Sequence, residues 1–239
     1  MIKTLMTFSV TAATTLLVGA GTARAADGPP AAFGQAGQLS LGSDLNLVSS
    51  SSLLSLTGSS GAGVAGLLLP ATMLSVEGSS TSNNGGSTFG FSFAPAADYF
   101  VIDNLSLGVE LLVGYATASP GSQPGSSTSP PSTNVTSYGI APRVGYNIPI
   151  GDSFSFWPKV FFEHAGYSVG GAGTGYGNIQ LLGLYAPFLY HPSPHFYLGV
   201  GPNILTELGA NIDGTGATGK LTAYGAFASI GGWFKLGGG

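Results

Sequence analysis

The chain has 239 residues, with 40 glycines, 15 prolines and no cysteine, and only 7% of its residues are charged. The missing cysteine excludes a disulfide framework and a thiolate metal site, and 14 Phe, 10 Tyr and 2 Trp exclude the aromatic-poor make-up of a disordered chain. Soluble domains carry about 25% charged residues, so the low charge and a mean hydropathy of +0.35 describe a chain whose outside does not face water.

The first 25 residues read as an export signal. Lys3 gives a positive start, "LMTFSVTAATTLLVGAG" is apolar and small, and Ala23-Arg24-Ala25 offers a small-x-small cleavage site before Ala26. Removal of residues 1–25 takes Lys3 and Arg24 away and leaves four basic residues against ten acidic, a formal charge of −6. No basic stripe remains, so nucleic acid is not an expected partner. Residues 26–36 form a short N-terminal segment. Beyond it, the most apolar stretch, "VAGLLLPATML" at 64–74, is eleven residues long and holds a proline, well short of the ~20 a spanning helix needs.

Strand periodicity fills the rest. Eight strands are predicted, near 37–48, 87–101, 105–118, 135–149, 153–168, 176–190, 195–208 and 220–234. In "LSLGVELLVGY", Leu105, Leu107, Val109, Leu111 and Val113 share one face, and Ser106, Gly108, Glu110 and Gly114 the other. In "YGIAPRVGYNI", Tyr138, Ile140, Pro142, Val144 and Tyr146 oppose Gly139, Ala141, Arg143 and Gly145. "FSFWPKVFFEH" and "FYLGVGPNILTEL" alternate in the same way. The connections alternate in length: "IDN", "IGD" and "PSP" are tight, whereas 48–87, 119–134, 169–175 and 209–219 are long and polar. Within 48–87, "SLLSLTG" and "LLLPATMLSVEG" leave room for one more hairpin. Apolar-out, small-or-polar-in strands joined by alternately short and long connections are the pattern of a membrane barrel. The expectation is an all-β, transmembrane, antiparallel up-and-down β-barrel of eight strands, ten if the extra hairpin forms, over residues 37–234, with 235–239 as a tail.

An Ala-Pro step recurs in "FAPAADYF", "IAPRVGYNI" and "YAPFLYHP", placing Pro95, Pro142 and Pro187 47 and 45 residues apart, one hairpin unit each. On the segments "FAPAADYFVIDNLSLGVELLVGY", "IAPRVGYNIPIGDSFSFWP", "APFLYHPSPHFYLGVGP" and "AYGAFASIGGWF", the chain resembles the small outer-membrane barrels of Gram-negative bacteria, of the OmpA, OmpX and OmpW type, and more closely the outer membrane protein beta-barrel domain family. The likeness covers roughly 36–234. It implies the cell outer membrane as location, after cleavage near Ala25, with membrane lipids and lipopolysaccharide as surroundings, the barrel assembly machinery as a partner during biogenesis, and a monomer. It also implies a C-terminal assembly signal on Tyr224, Ile230 and Phe234, although "KLGGG" follows Phe234 where such barrels end on the aromatic residue.

Sites for chemistry are few. "GTGATGKL" at 214–221 has P-loop glycine and lysine spacing, but Leu221 stands where a Ser or Thr must hold magnesium, and a strand follows rather than a helix. "HPSPH" puts His191 two residues from Ser193 in a proline-locked turn with no carboxylate nearby in sequence. His164 and Glu163 point to opposite faces. No catalytic residue, cofactor or metal is expected, and the chain is read as a non-enzyme. Trp157, Tyr99, Tyr146, Tyr190, Trp233 and Phe234 near the short turns, and Tyr115, Tyr138, Tyr167, Tyr176 and Tyr224 near the long loops, form two aromatic girdles; Trp157 and Trp233 take inward parity.

Counted from the short turns, Glu110, Arg143 and Lys159 fall at similar depth on the inward face, and Glu163 follows on the same face as Lys159. Charges in a narrow interior are costly unless paired, so these four are the candidate lumen charge network. The functional expectation is an integral outer-membrane β-barrel protein with a structural or surface-interaction role and a side-chain-filled lumen. A porin-like narrow pore, or a transport path for small apolar molecules, is the alternative, and a lipid-modifying barrel enzyme the remoter one.

Overall fold

The computed structural model describes residues 32–48, 71–79, 86–119, 131–171, 175–212 and 222–236. The export signal 1–25, the stretch 52–58, the P-loop-like 214–221 and most of the long connections lie outside them.

Thirteen strands form one sheet: β1 (Gln38–Val48), β2 (Met73–Ser79), β3 (Gly86–Phe93), β4 (Pro95–Ile102), β5 (Leu105–Ser119), β6 (Thr133–Tyr146), β7 (Ile148–Pro149), β8 (Phe154–Phe156), β9 (Lys159–Gly171), β10 (Gly175–Tyr185), β11 (Phe188–Ser193), β12 (Phe196–Ile212) and β13 (Thr222–Lys235). The main path runs β10-β9-β6-β5-β4-β1-β13-β12-β11-β8-β7, with β2 on β3, β3 on β5, and a further pairing of β10 with β12. Among the described residues the pairings between these strands are antiparallel, and an isolated bridge joins Leu45 of β1 to Thr72 in parallel.

The eight-stranded up-and-down barrel expected from the sequence is corrected here, and the ten-stranded variant with it. The strands do not stand evenly round an axis. The expectations that rested on that architecture, an integral transmembrane barrel protein with a filled lumen, a porin-like pore or transport path, and a barrel enzyme, fall together with it.

The physical reason lies largely in the prolines. A proline cannot donate to a ladder, and three predicted strands break next to one: β3 from β4 at Ala94-Pro95, β8 from β9 at Trp157-Pro158, and β10 from β11 at Ala186-Pro187. A fourth breaks at Asn147, whose amide goes to Asn104 O. At the first break the chain also changes partners, β3 lying on β2 and β5, β4 on β1 and β5. The Ala94 amide leaves the ladder there and donates to Thr72 Oγ1 at 2.9 Å. At the second and third breaks Trp157 donates to Pro187 O at 2.9 Å and Ala186 to Pro202 O at 3.0 Å. These amide donors are satisfied, but the wall is pieced together, with segments of two and three residues at β7 and β8. β2 is the further strand in the long first connection.

Alternation survives the breaks. Along β6, Val135, Ser137, Ala141 and Arg143 are buried while Thr136, Tyr138, Ile140, Pro142 and Val144 are exposed. The buried face carries one apolar cluster around Phe161, Tyr185, Leu205 and Phe227, and another around Leu112, Ala165, Ile179 and Leu181. At the short-turn end, Phe33, Phe100, Trp157, Leu189, Tyr197 and Trp233 make a third. Phe33 is its centre, with ring centroids 5.1 Å from Phe100 and Trp157 and 5.0 Å from Trp233. The segment that carries Phe33 is tied down by two backbone bonds, Asn104 N donating to Gly34 O at 2.6 Å and Gly37 N to Phe100 O at 2.8 Å, and by Ala36 N donating to the Asp103 side-chain Oδ1 at 2.8 Å.

A buried charge cluster as the candidate functional site

The buried face also holds charge. β6 brings Arg143 inward between two small residues, Ala141 and Gly145, so its guanidinium has room to reach across neighbouring strands. Its Nη1 donates to Glu110 Oε2 of β5 at 2.8 Å and to Asp44 Oδ2 of β1 at 3.1 Å. Its Nε donates to Asp98 Oδ1 of β4 at 2.9 Å, and its Nη2 pairs with Asp98 Oδ2. The Asp98 contact is therefore the two-pronged fork that suits a planar guanidinium to a carboxylate. Gly108 makes this possible, because a Cβ there would overlap the Asp98 carboxylate. Lys159 of β9 donates to Asp44 Oδ2 at 3.3 Å, and its Nζ lies 4.5 Å from the Trp157 ring centre and 5.1 Å from that of Tyr185, within cation–π range. Ser229 donates to Asp44 Oδ1, and the Tyr185 hydroxyl lies 2.7 Å from Ser229 Oγ.

Of the four residues singled out in sequence, all are buried. The structure joins Glu110 directly to Arg143 and links Lys159 to Arg143 through Asp44. Glu163 is fully buried, and neither of its carboxylate oxygens has a hydrogen-bond partner. Asp44 and Asp98, which take part in three of the four ion pairs of Arg143 and Lys159 among the described residues, are the residues sequence reasoning missed. Both had a signal: each is the acid on the small-or-polar face of its strand. Tyr224, Ile230 and Phe234 lie on one face of β13, with Tyr224 and Phe234 exposed.

A cavity of about 490 Å³ at the short-turn end is bordered by Phe33, Asn147, Asp152, Ser155, His191 and Trp233. In it, Ser155 Oγ and His191 Nε2 are 3.0 Å apart. No carboxylate sits on His191 Nδ1, so the third member that orients a catalytic imidazole is missing among the described residues. His164 is exposed. Among the described residues no group of three or more His, Asp or Glu side chains could hold a metal ion.

No family model matches the sequence, and no curated protein matches it. The fold is distantly similar to the crystal structure of Ail, the attachment invasion locus protein of Yersinia pestis, at 10% identity over 84% of this chain and 100% of that one, with a TM-score of 0.36.

Proposed function

We propose that the protein is a non-catalytic, lipid-contacting β-sheet protein of the cell outer membrane, delivered there after removal of residues 1–25. One observation carries this reading: the polarity of the molecule is inverted. Large apolar side chains such as Leu111, Val113, Ile140, Val144, Phe188 and Val200 stand 48–58% exposed, while Asp44, Asp98, Glu110, Arg143, Lys159 and Glu163 are buried. An apolar side chain left in water forgoes about 1.5–3 kcal/mol relative to burial. A surface with this many of them is a surface meant for an apolar phase. Phospholipid and lipopolysaccharide are the partners such a surface fits, and the protein works through that surface as a monomer. The buried ion pairs serve as its internal brace.

The test is flotation. Protein refolded from denaturant should rise with vesicles of phospholipid and lipopolysaccharide in a density gradient, and should aggregate when lipid and detergent are withheld. A chain that stays monodisperse in plain buffer would overturn the reading.

A further inference from the structure

The interior charges do not balance. Asp44, Asp98, Glu110 and Glu163 are buried beside two buried bases among the described residues, Arg143 and Lys159. Uncompensated charge out of water is so costly that a carboxylate there neutralises itself by taking up a proton. Geometry shows which carboxyl this is. Asp44 accepts from Arg143, Lys159 and Ser229, and Asp98 from two nitrogens of Arg143. Glu110 uses one oxygen on Arg143 and leaves Oε1 without a partner, and Glu163 has none on either oxygen.

These two acids share a row. Glu110 of β5 pairs with Ala141 of β6. The β6–β9 register, with Ile140 opposite His164 and Arg143 opposite Phe161, sets Glu163 opposite that same alanine. Two strand spacings are about 10 Å, within the combined reach of two glutamates leaning over a methyl group. Glu110 is also the charged group whose field bears on Glu163.

We propose that Glu110 and Glu163 form an internal acid pair that holds a proton across Ala141, a pH-sensitive catch between β5 and β9. Among the described residues, the buried bases on the strands around Glu163 are already engaged. β10 presents Leu181 opposite it, the Leu181 partner on β12 is the acid Glu207, and Arg143 on β6 and Lys159 on β9 are engaged with Asp44, Asp98 and Glu110. On ionisation two like charges would face each other in an enclosed space, the situation in which one of two carboxyls keeps its proton. The folded state then binds more protons than the unfolded chain, so stability falls as pH rises, by up to about tenfold in the folding equilibrium per pH unit for one proton.

The experiment compares wild type with Glu163→Gln, which keeps the shape of the protonated acid, by equilibrium unfolding in detergent micelles from about pH 4, the ordinary carboxylate range, to alkaline pH. The wild type should lose stability more steeply, by up to about tenfold per pH unit. Parallel curves would overturn the proposal. Infrared spectra of the wild type guard against a variant that fails to fold. A protonated-carboxyl carbonyl band at about pH 6, where ordinary carboxylates are ionised, that vanishes at alkaline pH supports the pair, and its absence at that pH rules the pair out.

Discussion

Arg143 is the side chain on which the interior turns, because it touches Asp44, Asp98 and Glu110 at once. Arg143→Ala takes the charged partner from Asp98 and Glu110, leaves Asp44 with Lys159 and Ser229, and should destabilise the protein in detergent by about 3–5 kcal/mol, the cost of breaking a buried pair from one side. Adding Asp98→Ala should recover part of that loss, since the carboxylate that met the guanidinium fork is gone. A coupling of about 0.5–3 kcal/mol in the double-mutant cycle is expected for groups in contact, and strictly additive losses would show that the fork is not an energetic unit. Close packing makes a second prediction at this scale. Gly183 of β10 faces Phe161 of β9, and a Cβ on it would run into the Phe161 ring. Gly183→Ala should therefore cost about 1–3 kcal/mol through overpacking, measured by chemical unfolding. Inward parity of Glu110, Arg143, Lys159 and Glu163 is legible in the sequence, because alternation fixes the face. The pairing of Arg143 with Glu110 follows from their equal depth, but its contact with Asp44 is not legible, because Asp44 comes from β1 and lies 99 residues away, and only the register across β4 and β5 sets their depths against each other.

At the scale of elements, prolines decide where the wall is continuous. Pro142 is the instructive exception, lying inside an unbroken β6. It pairs in register with Val109 of β5, whereas the register with β9 stops at Ile140 and resumes at Arg143. The strand absorbs a missing donor by giving up pairing on one side only. Pro142→Val should keep the fold and change stability by no more than about 1 kcal/mol, and the new amide at position 142 should exchange slowly if it restores the β9 ladder. Rapid exchange there would show that the gap is set by the backbone and not by the proline. The alternation of faces along β5, β6 and β9 could be read directly. Strand number could not, since periodicity is blind to a partner change at Ala94 or to a break at Trp157-Pro158 that leaves side-chain parity intact. The short N-terminal segment gave no sign that Phe33 would centre an aromatic cluster, because that position follows from contacts with Asn104 and Asn147 far along the chain.

For the whole molecule the account rests on inversion: ion pairs within, apolar side chains without, and lipid as the phase that the outer face meets. A chain without cysteine lets this be read one position at a time. Single cysteines at Leu111, Val144 and Leu198 on the exposed apolar face, and at Asp152 in a short turn as the water-exposed control, can each carry a polarity-sensitive fluorophore in vesicle-reconstituted protein. The account predicts blue-shifted emission, quenched by lipid-borne quenchers, at the first three positions, and water-like emission at Asp152. Water-like emission at all four positions would contradict it.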